Sequence, residues 1–352
     1  MRRRIANTIL WLLLPLVFLS SCKNEVKQAD SFPLVGATAP EFPHNVSWIN
    51  TELPSSLAEM RGGVVLLYFW SSTSINSIRA IRFINQWHRK YGEWGLHAIG
   101  VHAPQFDFEK DAAYVKTAVS KEVMFHPVVL DNDFLIWTAY RNRAWPTFYL
   151  IDHRGIIRDI FVGESDYDQI EFRIQDLLSE IGVETSDSIE SLEPQVDFSR
   201  VGTPQINTGY DELTHFGSPE PVLPNATQNY SADTTLQFNH FYLVGEWEIQ
   251  KDKALLRGRG GKLLLRYEAS RVYVVLGSLH ASRLRAEVRL DGEPLTTENY
   301  GKDIWFRDGR SYVEIDNRRL YELVNTRDIY GEYALEISFS SGDVEVFAMM
   351  FG

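Results

Sequence analysis

Two hydroxyls three residues apart, in Ser74-Ile75-Asn76-Ser77, stand where an apolar run gives way to helical spacing. The run is Val64-Val65-Leu66-Leu67-Tyr68-Phe69-Trp70, continuous as in a strand buried on both faces. After it come Ile75, Ile78, Ile81, Ile84 and Trp87, about one helical turn apart. A strand-to-helix junction places the pair at a helix N-terminus, where exposed N–H groups and the macrodipole favour negative charge. Such a position activates a thiol, because the thiolate is the nucleophile of disulfide exchange. A serine hydroxyl forms no disulfide. As a nucleophile it needs a paired base and an orienting third group, and no Gly-x-Ser-x-Gly elbow is present. The plainer role is favoured: Ser74 as an N-cap for the amides near Asn76 and Ser77.

Other candidate chemistry is sparser. His97 and His102 are an odd number apart, so on one strand they face opposite sides. No histidine pair has i,i+4 spacing, and Cys22 is the chain's sole cysteine. No metal site and no cofactor are therefore expected. Gly258-Arg259-Gly260-Gly261-Lys262 lacks the spacing and the Ser/Thr of a phosphate loop and reads as a turn. Asp131-Asn132-Asp133 lacks the glycine and distal glutamate of a calcium loop; a turn into Phe134–Tyr140 is expected there. Aromatics are frequent after residue 240 (Tyr242, Trp247, Tyr267, Tyr273, Trp305, Tyr312, Tyr321). In a sandwich most of these belong to the core, while any exposed ones offer a platform for glycans.

The elements that position the serines follow an α/β grammar over residues 36–182. Strands are expected at 96–101, 127–130, 148–152 and 156–162, the last two flanking a turn at His153-Arg154-Gly155. Helices are expected at 109–121 and 167–181. Residues 183–202 form an acidic, serine-rich linker. From 203 to 352 short strands and the turn dipeptides Asp291-Gly292 and Asp308-Gly309 predict an all-β sandwich. At 352 residues with 44% hydrophobic content, two folded domains are expected.

The first 21 residues read as a lipoprotein signal peptide. Arg2–Arg4 precede a short apolar run from Ile9 to Leu19, too short for a stable membrane helix. Leu19-Ser20-Ser21-Cys22 resembles the bacterial lipobox, which implies acylation of Cys22 and a membrane anchor. Residues 22–35 are a polar tether. Lys23 is not aspartate, so the rule for inner-membrane retention is unmet and the outer membrane is favoured. An acylated Cys22 leaves no thiol for any disulfide. With Arg2, Arg3 and Arg4 set aside, the 35 basic residues become 32 against 47 acidic, a balance of −15. That disfavours nucleic acid, whose binding leans on Lys/Arg phosphate contacts, and an electrostatic grip on anionic lipid.

The chain resembles the periplasmic region of DipZ-type thiol–disulfide proteins, relatives of the TlpA-like redoxins with a thioredoxin-like fold. The resemblance rests on Tyr68-Phe69-Trp70, Ile75-Asn76, Gly100-Val101-His102-Ala103-Pro104, Phe108-Glu109-Lys110-Asp111, Pro127-Val128-Val129-Leu130-Asp131-Asn132-Asp133 and Trp145-Pro146-Thr147. Thr203-Pro204, Gly245-Glu246-Trp247, Arg319-Leu320-Tyr321-Glu322 and Phe351-Gly352 extend it to a C-terminal domain similar in fold to carbohydrate-binding modules. It implies that Ser74 and Ser77 occupy the family's two redox-cysteine positions. It implies that Pro146 is the family's cis-proline, and that the backbone of Trp145 receives an extended peptide or partner segment by strand addition. Trp70 and Trp145 with Pro146 are then expected to frame the substrate. His102 is the histidine with a family-based reason to lie near this end of the sheet. The resemblance thus predicts a redoxin scaffold in the cell envelope, facing the periplasm, without its redox pair: a binding or structural module. Two alternatives stay open. The native form carries cysteines at 74 and 77 and is a thiol–disulfide oxidoreductase, or the β domain binds cell-wall glycan.

Overall fold

Alternate residues of the Val64–Trp70 run point into two different cores, which explains why the run is apolar throughout. The computed structural model describes residues 34–51, 56–164, 167–185, 196–280 and 283–352. The signal peptide, Cys22, most of the tether and the centre of the acidic linker lie outside the described residues. In chain order the first part contains β1 (Ser47–Ile49), β2 (Val64–Trp70), α1 (Ile75–Tyr91), β3 (Leu96–His102), α2 (Ala112–Lys121), β4 (Val128–Leu130), α3 (Leu135–Ala139), β5 (Thr147–Ile151), β6 (Ile157–Val162) and α4 (Tyr167–Ser179). The sheet order is β1-β4-β3-β2-β5-β6. β2, β3 and β4 run parallel, whereas β5, β6 and β1 pair antiparallel. Val64, Leu66 and Tyr68 pack with α1 and α4 through Ile81, Ile84, Trp87, Ile170 and Ile174. Val65, Leu67 and Phe69 pack on the opposite face with Ile136 and Tyr140. This is the thioredoxin-like arrangement expected from the sequence.

One expected helix is divided. The span read as 109–121 holds a 3-10 turn at Asp107–Lys110, then α2. Asp111 breaks it, because its carboxylate accepts from the Ala113 amide at 2.8 Å and caps a new helix. Asp131 does the same for α3, accepting from Ile136 N at 3.0 Å and Trp137 N at 2.7 Å.

Every strand pairing in the second part is antiparallel. Its strands are β7 (Ile206–Asn207), β8 (Thr227–Tyr230), β9 (Phe241–Ile249), β10 (Ala254–Leu256), β11 (Gly261–Ala269), β12 (Arg271–Ser278), β13 (Leu284–Leu290), β14 (Glu293–Pro294), β15 (Ile304–Arg307), β16 (Arg310–Ile315), β17 (Arg319–Asn325), β18 (Gly331–Phe339) and β19 (Val344–Phe351). One layer is β15-β16-β13-β18-β11, and the other is β10-β19-β12-β17. β9 belongs to both. Its first half pairs with β11 through Phe241–Val244, and its second half pairs with β8 and β10. Gly245 lies between the halves at φ +100°, a conformation that glycine adopts without strain. It lets one strand turn the corner from sheet to sheet, the device of a closed sandwich. Asp291-Gly292 and Asp308-Gly309 form the two expected hairpin turns, all four residues at positive φ.

Residues Leu34–Gly352 make one compact unit. The two parts share a small apolar core. Ile75 and Phe106 from the first are buried with Tyr273, Val275, Leu320, Phe347, Ala348 and Met350 from the second. Phe347 on β19 packs against Phe106 and Phe108, with ring centroids 5.1 and 5.0 Å away. The sandwich face formed by β12, β17 and β19 therefore rests on the start of α1.

Candidate functional site

Ser74 is the N-cap of α1. It has extended backbone (φ −83°, ψ 111°), and its Oγ accepts from the Ser77 amide at 3.3 Å. Its carbonyl accepts from Ile78 N at 3.0 Å, closing the first turn. Ser77 Oγ accepts from Ser71 N at 3.4 Å. Both serines are buried, at 5% and 1% exposure. Among the described residues no histidine or carboxylate hydrogen-bonds Ser74 Oγ. Both hydroxyls are engaged with backbone, and among the described residues no general base is hydrogen-bonded to either one.

The loop before the serines is organised by a residue to which the sequence reading gave no role. Glu109, fully buried, projects from the 3-10 turn into the Ser71–Thr73 loop. Its carboxylate accepts from Ser72 Oγ at 2.6 Å, Ser71 Oγ at 2.8 Å, Thr73 N at 3.2 Å and Thr73 Oγ1 at 3.1 Å. It also accepts from Gln105 N at 2.7 Å and Phe106 N at 3.1 Å. His102 Nε2 lies 3.6 Å away, too long for a hydrogen bond but close enough to act by charge when protonated. Burial alone would raise the Glu109 pKa; His102 and the Ser72 and Ser71 donors outweigh it and hold the carboxyl below its usual range. A carboxylate with this many donors is held in one position. Its donors Ser71, Ser72 and Thr73 form a hydroxyl run just ahead of the N-cap, but nothing in the local pattern ties that run to Glu109.

The other expected residues divide. The Trp145–Pro146 peptide bond is cis. Trp145 donates its indole N–H to Ala103 O at 3.0 Å and packs on Trp137 with centroids 4.4 Å apart. Ser74, Asn76 and Trp145 line one cleft of about 370 Å³, whose far wall is Phe198, Met350 and Phe351. Asn76 is held by Arg79, which donates to its Oδ1 at 2.6 Å and forks onto Glu164 through Nε and Nη2. Trp70 departs from expectation. It is fully buried at the end of β2, edge-on to His102 at 4.9 Å, so it supports the site from within and cannot touch a substrate. Cys22 lies outside the described residues. Among the described residues no group of three or more His, Cys, Asp or Glu side chains is placed to hold a metal ion.

Comparison with known proteins follows this geometry. Residues 35–160 match the AhpC/TSA family. The chain carries a thioredoxin-like redoxin domain. Residues 203–352 match the family described as thioredoxin like C-terminal domain. Protein DipZ of Mycobacterium tuberculosis is 32% identical over 282 residues, covering 79% of this chain and 39% of DipZ. The chain thus spans well under half the length of that relative. The thiol-disulfide oxidoreductase ResA of Geobacillus kaustophilus is 27% identical over 148 residues, 41% of this chain and 78% of ResA. Among solved structures, a thiol-disulfide isomerase from Corynebacterium glutamicum aligns at 23% identity with a TM-score of 0.36, over 40% of this chain and 97% of that one. Within the redoxin domain the cis-proline loop and the helix N-terminus are both built.

The depressed Glu109 pKa sets a sign. Its stabilisation is present at neutral pH and is lost as pH falls through the folded-state value. Glu109→Gln is expected to cost about 3 kcal/mol at pH 7, since it leaves a buried donor cage facing an amide. Urea unfolding at pH 7 and pH 3 checks this: the cost should shrink in acid, and an equal cost at both pH values would refute it.

Proposed function

We propose that this protein is an exported, lipid-anchored redoxin of the cell envelope that no longer exchanges thiols and works as a binding module. The observation that carries the reading is serine at both positions 74 and 77, each hydroxyl engaged with backbone. The rest of the frame supports it: the cis-proline loop, the helix N-terminus and an adjoining cleft remain, so a ligand surface persists without electron chemistry. Cys22 as the sole cysteine supports the loss of redox function, because acylation there removes the last thiol. The relatives named as thiol-disulfide oxidoreductases support a redoxin scaffold as the starting point of this reading. The oxidoreductase alternative, a native form with cysteines at 74 and 77, is decided by sequencing those codons in the source gene. Ser74 and Ser77, with Trp145 and Pro146, are proposed as the vestigial site, and Cys22 as the lipid attachment point.

The envelope location rests on the lipobox-like Leu19-Ser20-Ser21-Cys22, and the outer membrane is favoured by Lys23 after the cysteine. At the cis-proline loop the proposed ligand is a short extended segment. The cleft is closed on one side by the sandwich, so a partner burying roughly 800 Å² of its own surface there would have to displace it. The mature protein is expected to give no dithiol-dependent insulin reduction above buffer. Robust turnover would refute the reading.

A second site, on the sandwich, has its own observation. Trp305 and Tyr312 stack at 5.1 Å on neighbouring strands, with the Arg285 guanidinium 4.5 Å from the Trp305 ring centre. Both rings are half-buried. Flat aromatic faces at a sheet edge suit the apolar faces of sugar rings, and we propose cell-wall glycan as the ligand. Peptidoglycan pull-down with the full mature chain tests it. Trp305→Ala should reduce retention at least fivefold without changing the unfolding midpoint; retention equal to wild type would remove the glycan reading.

A further inference from the structure

A second cavity opens on the other side of Ile75, and no role described so far uses it. Its volume is about 430 Å³, within the roughly 300–1,000 Å³ of small-molecule sites. The floor is apolar, made by Ile75 and Ile78 on α1, Ala118 on α2 and Leu320 at the start of β17. The Tyr114 ring forms one wall. Burial pushes the Tyr114 pKa up, so its hydroxyl stays protonated.

The rim carries the informative chemistry. Four cations line it, Lys121, Lys302, Arg318 and Arg319, against two carboxyls, Asp111 and Glu122. This is a cluster of cations on a chain of net charge −12. The arginines are already committed: Arg318 to Glu345 at 2.6 Å, and Arg319 to Asp303 at 2.8 Å. The lysines are held more loosely: Lys302 pairs with Glu322 only at 3.9 Å, and Lys121 has no ion pair among the described residues. Asp111 is occupied in capping α2. Glu122 is half-buried near both lysines, without an ion pair among the described residues; burial raises its pKa while the lysines lower it.

We propose that this cavity is a binding site for an amphipathic monoanion, with its hydrocarbon body on Ile75, Ile78 and Leu320 and its carboxylate between Lys121 and Lys302. An apolar floor excludes sugars and small polar metabolites, whose hydroxyls would be left without partners there. The loosely held lysines select an anion over a neutral or cationic molecule of the same shape. The ligand would bridge the two parts of the chain, because the floor comes from both. It would also touch Ile75, the residue between Ser74 and Asn76.

Calorimetric titration of the mature chain with octanoate, octan-1-ol and octylammonium tests the proposal. Saturable octanoate binding is expected, at least tenfold tighter than for either other probe. Lys121→Glu/Lys302→Glu should remove that preference and leave octan-1-ol unchanged. Leu320→Trp, or Ala118→Leu if the first variant unfolds, should fill the cavity and weaken octanoate at least tenfold. Absence of saturable octanoate binding to the wild type, equally tight octylammonium binding, or indifference to the charge and filling variants would overturn the proposal.

Discussion

A single buried carboxylate fixes the relation among the parts of this molecule. Glu109 accepts hydrogen bonds from the Ser71–Thr73 loop and from the backbone N–H groups of Gln105 and Phe106. The first loop ends at the N-cap of α1, so holding it sets the direction in which the helix leaves the sheet. The second carries Phe106 and Phe108, between which Phe347 of the sandwich packs. One ionised side chain thus positions both the degenerate site and the surface that docks the second part. An unpaired charge at such depth would cost several kcal/mol; with donors on every side it becomes a rigid joint.

That joint accounts for the character of the site. In a redoxin the helix N-terminus must be reached by a partner, because disulfide exchange needs sulfur to meet sulfur. Here Ile75 is buried under the sandwich and Ser74 is 5% exposed. Loss of the thiols and cover by the sandwich fit together: a position that no longer reacts can be packed. The serines keep the helix capped, which a larger apolar residue would not do. What stays open is a pair of cavities flanking Ile75, one beside the cis-proline loop and one above Leu320.

Much of this was legible in the sequence, for stated physical reasons. Both sheets declared themselves by period and by turn chemistry. The continuous Val64–Trp70 run means burial on both faces, and the Asp-Gly pairs mean hairpins. Ser74 was legible as a cap because serine at a strand-to-helix junction has an obvious bond to make. Glu109 was not, since its donors lie in a loop thirty-odd positions earlier and local pattern says nothing about such pairs. Trp70 misled because an aromatic before an active-site turn looks like a contact residue; β2 is buried on both faces along its whole length, and its last residue is enclosed as well. The shared core was invisible for the same reason as Glu109. Phe347 and Ile75 are ordinary apolar residues until the fold brings them together.

The central claim is that the site has kept its geometry while losing its electron chemistry. The most direct measurement is a redox titration of the Ser74→Cys/Ser77→Cys variant, with Cys22 replaced so that the new thiols are the only ones. The account predicts a reversible intramolecular disulfide with a potential within the thioredoxin-like range, about −120 to −270 mV. Failure of the two cysteines to pair in an otherwise folded protein would contradict it, because the frame around them would then have changed along with the residues themselves.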